Sequence, residues 1–136
     1  MVEKILFICT HNSARSQMAE GLVNHLLKGK YHAYSAGTEP TGVNSYATKV
    51  MEEIGIDISS HRSKSIDEFR ETKFDYVITV CDNAKEVCPF FPGGKQIHKS
   101  FVDPSTTQGT DEEILSSFRK VRDEIKEWIM DQSGFQ

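Results

Sequence analysis

The sequence predicts an α/β fold: a single-domain three-layer sandwich, with a four-stranded parallel sheet in the order 2-1-3-4 and helices on both faces. Three observations point there. Short apolar runs repeatedly give way to stretches whose apolar residues recur at helical spacing, and strands alternating with helices form parallel sheets. The first run, Ile5 to Ile8, is continuously apolar, as in a strand buried on both faces. The chain has 136 residues, which fits one domain over 1–136 and suffices to bury a core.

Each element follows from local pattern. After the first strand, Met18, Leu22, Val23, Leu26 and Leu27 mark a helix that begins near Ser16. Lys28, Gly29 and Lys30 end it. Tyr31 to Ala36 reads as a second strand, broken by Gly37 and Pro40. Asn44 to Ile54 repeats apolar residues over three turns and stops at Gly55. Ser65 to Phe69 predicts a short helical turn, with Ser65 as cap and Glu68 as its capping-box partner. Phe74 to Val80 predicts the third strand, and residues 82–88 a helix stopped by Pro89, Pro92, Gly93 and Gly94. Lys95 to His98 is a short fourth strand, and Ser100 to Gly109 a loop. Thr110 to about Met130 is the longest helix, capped by Thr110 and Glu113, with an apolar stripe through Ile114, Leu115, Phe118, Val121, Ile125, Trp128 and Ile129.

Composition narrows the function classes. The chain is 38% hydrophobic and 26% charged, ordinary for a globular protein. A net charge of −4 argues against a nucleic-acid partner. It leaves an anionic substrate open, because a site supplies its own local field. No segment approaches the roughly 20 apolar residues of a membrane span, and no secretory leader is expected. The expected location is the cytoplasm, where three cysteines suggest chemistry more than stapling.

The most informative stretch joins the first strand to the first helix. Cys9 stands at the strand end and Arg15 at the helix start, with five residues between them. A loop entering a helix N-terminus gathers backbone N–H groups around one concavity, and the helix dipole adds positive potential. Arg15 can grip two oxygens of an anion with its planar fork. The same field favours a thiolate at Cys9, aimed at the central atom of a tetrahedral oxyanion. Ser13 and Ser16 are close enough in sequence to donate a hydrogen bond to that sulfur. In open sheets, ligands bind beyond the carboxyl ends of the strands at the switch point. Here that lies between the first and third strands, which end at Cys9 and Cys81.

The run Cys9-Thr10-His11-Asn12-Ser13-Ala14-Arg15-Ser16-Gln17-Met18-Ala19-Glu20 resembles the phosphate loop of low-molecular-weight tyrosine phosphatases and of the arsenate reductases built on the same fold. The resemblance spans nearly the whole chain. It implies that residues 10–16 (Thr10, His11, Asn12, Ser13, Ala14, Arg15 and Ser16) bind an arsenate or phosphate oxyanion. It also implies that Asp103, in Asp103-Pro104 after the fourth strand, is the general acid.

Cys81 and Cys88 are seven residues apart. In a helix that is a rise of about 10.5 Å, whereas a disulfide needs Cα atoms within roughly 4.4–6.8 Å. Bonding them requires the segment to unwind, and the flanking prolines and glycines favour that. The spacing is poor for a zinc site with His98. In thioredoxin-coupled arsenate reductases all three cysteine positions match. The resemblance therefore implies that Cys9 attacks arsenate, Cys81 resolves the adduct, and Cys88 carries the disulfide outward to a thioredoxin-type reductant. No cofactor or metal is expected, and the chain is expected to be a monomer. The alternative is a phosphatase using Cys9, Arg15 and Asp103 alone; a third reading is a non-catalytic oxyanion or thiol sensor. Phosphatases of this group typically follow Asp-Pro with an aromatic residue, whereas Ser105 and Thr106 follow here.

Three departures from the family pattern stand out. Ala14 replaces a cysteine found in many members, which removes any disulfide between that position and Cys9. His11 stands where glycine is common. Some members hold potassium near the loop through an Asn, a Glu, a Ser and residues around 62–64. Asn12, Glu20 and Ser35 match, but Arg62 and Lys64 are cations, so one of them is expected to pair with Glu20 in place of the ion.

Overall fold

The computed structural model describes residues 2–82 and 90–131. Four parallel strands, β1 (Glu3–Ile8), β2 (Tyr31–Ala36), β3 (Tyr76–Thr79) and β4 (Lys95–His98), form one sheet in the order β2-β1-β3-β4. Central β1 pairs Ile5 with Ala33 on one side and with Tyr76 on the other, in unbroken parallel register. β3 is shorter than its apolar pattern suggests. The ladder nonetheless continues past both of its ends, through Asp75 N–H to Lys4 O and Val80 N–H to Ile8 O, each 2.9 Å.

The strand period of two divides the core. Ile5 and Phe7 face one side with α1 (Arg15–Leu26), α2 (Ser45–Glu52) and α3 (Asp111–Met130). That side buries Met18, Leu22, Val50, Met51, Phe118, Ile125 and Ile129. Leu6 and Ile8 face the other side, with Ala36, Val77, Phe74, Phe91 and Ile66. There a 3-10 helix, Ile66–Phe69, closes the layer, and Tyr34, Phe69, Phe74 and Phe91 meet edge to face at 5.6–5.9 Å, a favoured geometry for aromatic pairs. All four apolar residues of Ile5 to Ile8 are fully buried, and each such side chain stabilises by about 1.5–3 kcal/mol. This is why the Ile5–Ile8 part of β1 has no solvent-facing phase.

The caps of α2 and α3 form, and the capping box expected at Ser65 does not. Asn44 caps α2 through Tyr46 N–H and Ala47 N–H. Thr110 and Glu113 form the expected capping box on α3. At Ser65 the box does not form. The Ser65 hydroxyl accepts from Asp67 N–H, while Glu68 turns to Arg62 in a two-pronged ion pair. A charged fork outweighs the weak bond that a capping carboxylate would make. The expected helix over 82–88, and with it Cys88, lies outside the described residues. Among those described, no helix is long and apolar enough to cross a membrane.

Candidate active site

The loop from Cys9 to Arg15 is shaped from the outside by its own carbonyls. Glu39 N–H donates to Thr10 O (3.0 Å), Thr41 N–H to His11 O (3.3 Å) and Asn44 N–H to Ser13 O (3.0 Å). These donors belong to one strap, residues 37–44, that runs from β2 to α2. On the far side Ser63 and Gln17 donate to Asn12 O. Carbonyls drawn outward in succession leave the N–H groups facing the centre, the arrangement of an anion nest. The strap lies very close. A Cβ on Gly37 would stand 2.5 Å from Thr10 O and 2.7 Å from Cys9 O, so only glycine fits there.

Helix α1 starts at Ala14 with no side-chain cap and no acidic residue in its first turn. Ordinarily an Asn, Asp, Ser or Thr oxygen occupies those amides. Here no N-cap side chain occupies them, and the dipole's positive end lies behind them.

Asn12 locks the loop. It is fully buried and has φ 48°, the one non-glycine residue at positive φ among those described. Asparagine tolerates that region better than most residues. Lys64 N–H, which can only donate, fixes the amide's orientation by bonding Oδ1 at 2.8 Å. Nδ2 then donates to Ser16 Oγ at 2.8 Å. Ser16 Oγ lies 2.8 Å from Cys9 Sγ and is left with its own hydrogen for the sulfur. Of the two serines expected near the thiol, Ser16 makes this contact, and Ser13 lines the cavity above.

That cavity, of about 100 Å³, is lined by Cys9, His11, Ser13, Ala14 and Arg15 from the loop, Thr41 from the strap, and Asp103 and Ser105 from the segment after β4. Arg15 is buried and anchored, its Nη1 donating to Phe101 O at 3.2 Å. Its Nη2 lies 3.6 Å from Asp103 Oδ2. Asp103 divides its two oxygens. Oδ1 accepts from Ser105 N–H and Oγ–H, at 2.9 and 2.7 Å, and so caps the Pro104–Thr106 turn. Oδ2 remains beside Arg15. A larger cavity of about 510 Å³, between Lys99 to Val102 and the end of α3, contains none of these groups.

Thr10 and Ser16 support the loop without lining the cavity. His11 avoids positive φ and lies exposed at the rim, its Nδ1 3.1 Å from Glu39 O. Cys81, fully buried at the end of β3, is disulfide-bonded, while Cys9 is a free thiol.

Beneath the loop, Glu20 accepts from Ser35 Oγ at 2.6 Å and lies 3.7 Å from Lys64 Nζ and 3.4 Å from His61 Nδ1. These residues do not fit a potassium ion, because an ammonium already faces the carboxylate. Lys64 makes the expected pairing; Arg62 points to Glu68 instead. Two supporting residues, Gln17 and His61, carry no recognisable motif. Gln17 Nε2 reaches three oxygens, Asn12 O, Asn12 Oδ1 and Arg62 O, and its Oε1 faces His61 Nδ1 at 3.0 Å. The one available signal was a polar residue inside a helix start buried on every side.

A thiol on an anion nest, with a buried arginine and a carboxylate at the mouth, defines a class. The chain belongs to the low molecular weight phosphotyrosine protein phosphatase family, whose model matches residues 4–131. Within that family it is similar to arsenate reductases. That of Halalkalibacterium halodurans is 51% identical over 122 residues, covering 89% of this chain and 88% of the other. Among solved structures, an arsenate reductase in its oxidized state matches with a TM-score of 0.79 at 33% identity, covering 96% of this chain and 95% of that one. A thioredoxin-dependent arsenate reductase of Corynebacterium glutamicum matches with a TM-score of 0.68 at 28% identity, covering 99% of this chain and 64% of that one.

Proposed function

We propose that this chain is a thioredoxin-coupled arsenate reductase of the cytoplasm, acting as a single-domain monomer through a relay of Cys9, Cys81 and Cys88. The observation that carries this reading over simple hydrolysis is the state of the thiols. Cys81, buried just after β3, is disulfide-bonded while Cys9 remains free, as at the end of a relay in which oxidation has moved outward. A hydrolase has no use for that bond.

The loop amides and Arg15 hold arsenate with its arsenic over Cys9 Sγ. Ser16 Oγ–H donates to the sulfur. Cys9 attacks arsenic, an As–O bond breaks, and Asp103 protonates the departing oxygen as water. Cys81 then attacks the Cys9 sulfur. The S–As bond breaks with its electron pair passing to arsenic, which leaves as arsenite, and a Cys9–Cys81 disulfide forms. Cys88 attacks Cys81, freeing the Cys9 thiolate and producing the Cys81–Cys88 disulfide. A dithiol reductant of the thioredoxin type returns two electrons. Phosphate fits the same nest, so weak ester hydrolysis accompanies the main activity.

The test is arsenite production coupled to thioredoxin, thioredoxin reductase and NADPH. The wild type turns over. Cys88→Ser releases about one equivalent of arsenite and stops; Cys81→Ser releases none. Ester hydrolysis survives both substitutions. Continued arsenite turnover in Cys88→Ser refutes the relay. An absence of arsenite from the wild type, with robust ester hydrolysis, returns the chain to the phosphatases. Size-exclusion chromatography tests the monomer.

A further inference from the structure

We infer that His11 is a specificity-determining residue: it walls the mouth of the oxyanion cavity and favours a free tetrahedral anion over phosphate esters with an aryl group. The inference rests on the oxyanion reading above and adds a residue to it.

The cavity, about 100 Å³ in volume, is of the size of a small inorganic anion. An ester bound with its phosphorus over Cys9 must send its organic group out through the rim. Three side chains stand there, each from a different segment: His11 of the loop, Thr41 of the strap, and Ser105 after Asp103-Pro104. None of the described residues lining the cavity offers a phenylalanine, tyrosine or tryptophan ring on which an aryl group could stack. Of the three rim side chains His11 is the bulkiest, and it is not free to swing aside. Its carbonyl is held by Thr41 N–H at 3.3 Å and by Ser63 Oγ at 3.2 Å. Its ring is held at Nδ1 by Glu39 O. A carbonyl only accepts, so Nδ1 carries a proton. The backbone does not demand glycine, since positive φ falls on the neighbouring Asn12. A side chain is therefore accommodated at position 11 without strain, and its bulk lies in the path of an ester.

The experiment compares wild type, His11→Gly, His11→Ala and His11→Gln on p-nitrophenyl phosphate and on arsenate. Removing the ring in the Gly and Ala variants raises kcat/KM for the ester about tenfold or more, chiefly through KM. His11→Gln keeps the bulk and a donor for Glu39 O, and stays near wild type. The ratio of ester to arsenate kcat/KM rises in the Gly and Ala variants and stays near the wild-type value in His11→Gln. Ester kcat/KM equal to wild type in both His11→Gly and His11→Ala overturns the inference, as does a gain as large in His11→Gln. The outcome is separable from the reductase reading. The ester assay alone tests the wall, whereas a failure of the reductase reading shows as wild-type protein that makes no arsenite.

Discussion

Replacing Asn12 with alanine probes the construction of the oxyanion loop most directly. The side chain makes three bonds: Nδ2 to Ser16 Oγ, and Oδ1 from Gln17 Nε2 and Lys64 N–H. Gln17 keeps two other acceptors, Asn12 O and Arg62 O, so its loss is small. The amide of Lys64 loses its oxygen in a part-buried place, which costs about 1–2 kcal/mol. Alanine at φ 48° adds roughly 1–2 kcal/mol of backbone strain. The sum is about 3 kcal/mol. Asn12→Gly removes the same three bonds without the strain, and should be the more stable of the two by about 1 kcal/mol. Urea unfolding at fixed pH measures both through the shift in midpoint. In both variants Ser16 loses the donor that orients it, so oxyanion binding weakens as well. An alanine variant within 1 kcal/mol of wild type, or one no less stable than the glycine variant, refutes the reasoning.

Three further outcomes are expected. Lys64→Ala leaves Glu20 facing, among the described residues, Ser35 and His61; it lowers stability by about 2 kcal/mol in sodium buffers, and potassium restores part of the loss. The wild-type melting temperature is the same in both salts, and a strong potassium response of the wild type would contradict the pairing. Gly37→Ala puts a methyl 2.5 Å from Thr10 O, and the resulting displacement of the loop lowers arsenate kcat/KM about 100-fold, as measured by arsenite release. Arg119 first, with Arg122, holds the Glu53 carboxyl below the usual glutamate range. Its contribution to stability is therefore complete above the ordinary glutamate range and is lost as pH falls through the lowered value. Glu53→Gln flattens the acid side of the stability profile below the ordinary glutamate range, as followed by thermal unfolding.

The sheet and its helices were legible because burial leaves a pattern in side chains. Ile5 to Ile8 and the spacing of Met18, Leu22 and Val23 could be read directly, and Tyr31–Ala36 and Lys95–His98 fall where that pattern puts them. Cys9 and Arg15 stood out because a thiol and a guanidinium flanking a strand-to-helix turn have few alternative uses, whereas Asp103 came only with the family resemblance. The strap could not be read. Its bonds to Thr10, His11 and Ser13 come from backbone amides, which any residue supplies, and only Gly37 marks the close approach. Thr41 at the rim carries no signal for the same reason. Glu68 misled because a capping-box spacing is local, whereas its actual partner, Arg62, arrives from six residues upstream. For Glu20 the sign of the partner was readable, and the choice of Lys64 over Arg62 depended on where the connector turned.

Asn44 joins two structures through one residue. Its amide holds Ser13 O at the lip of the nest, and its side chain starts α2. Fraying of that first turn therefore loosens the anion site directly, without any disturbance of the sheet. Hydrogen exchange at Tyr46 and Ala47 should slow when an oxyanion binds, although neither residue touches it, and warming should weaken anion affinity in step with the opening of this helix end.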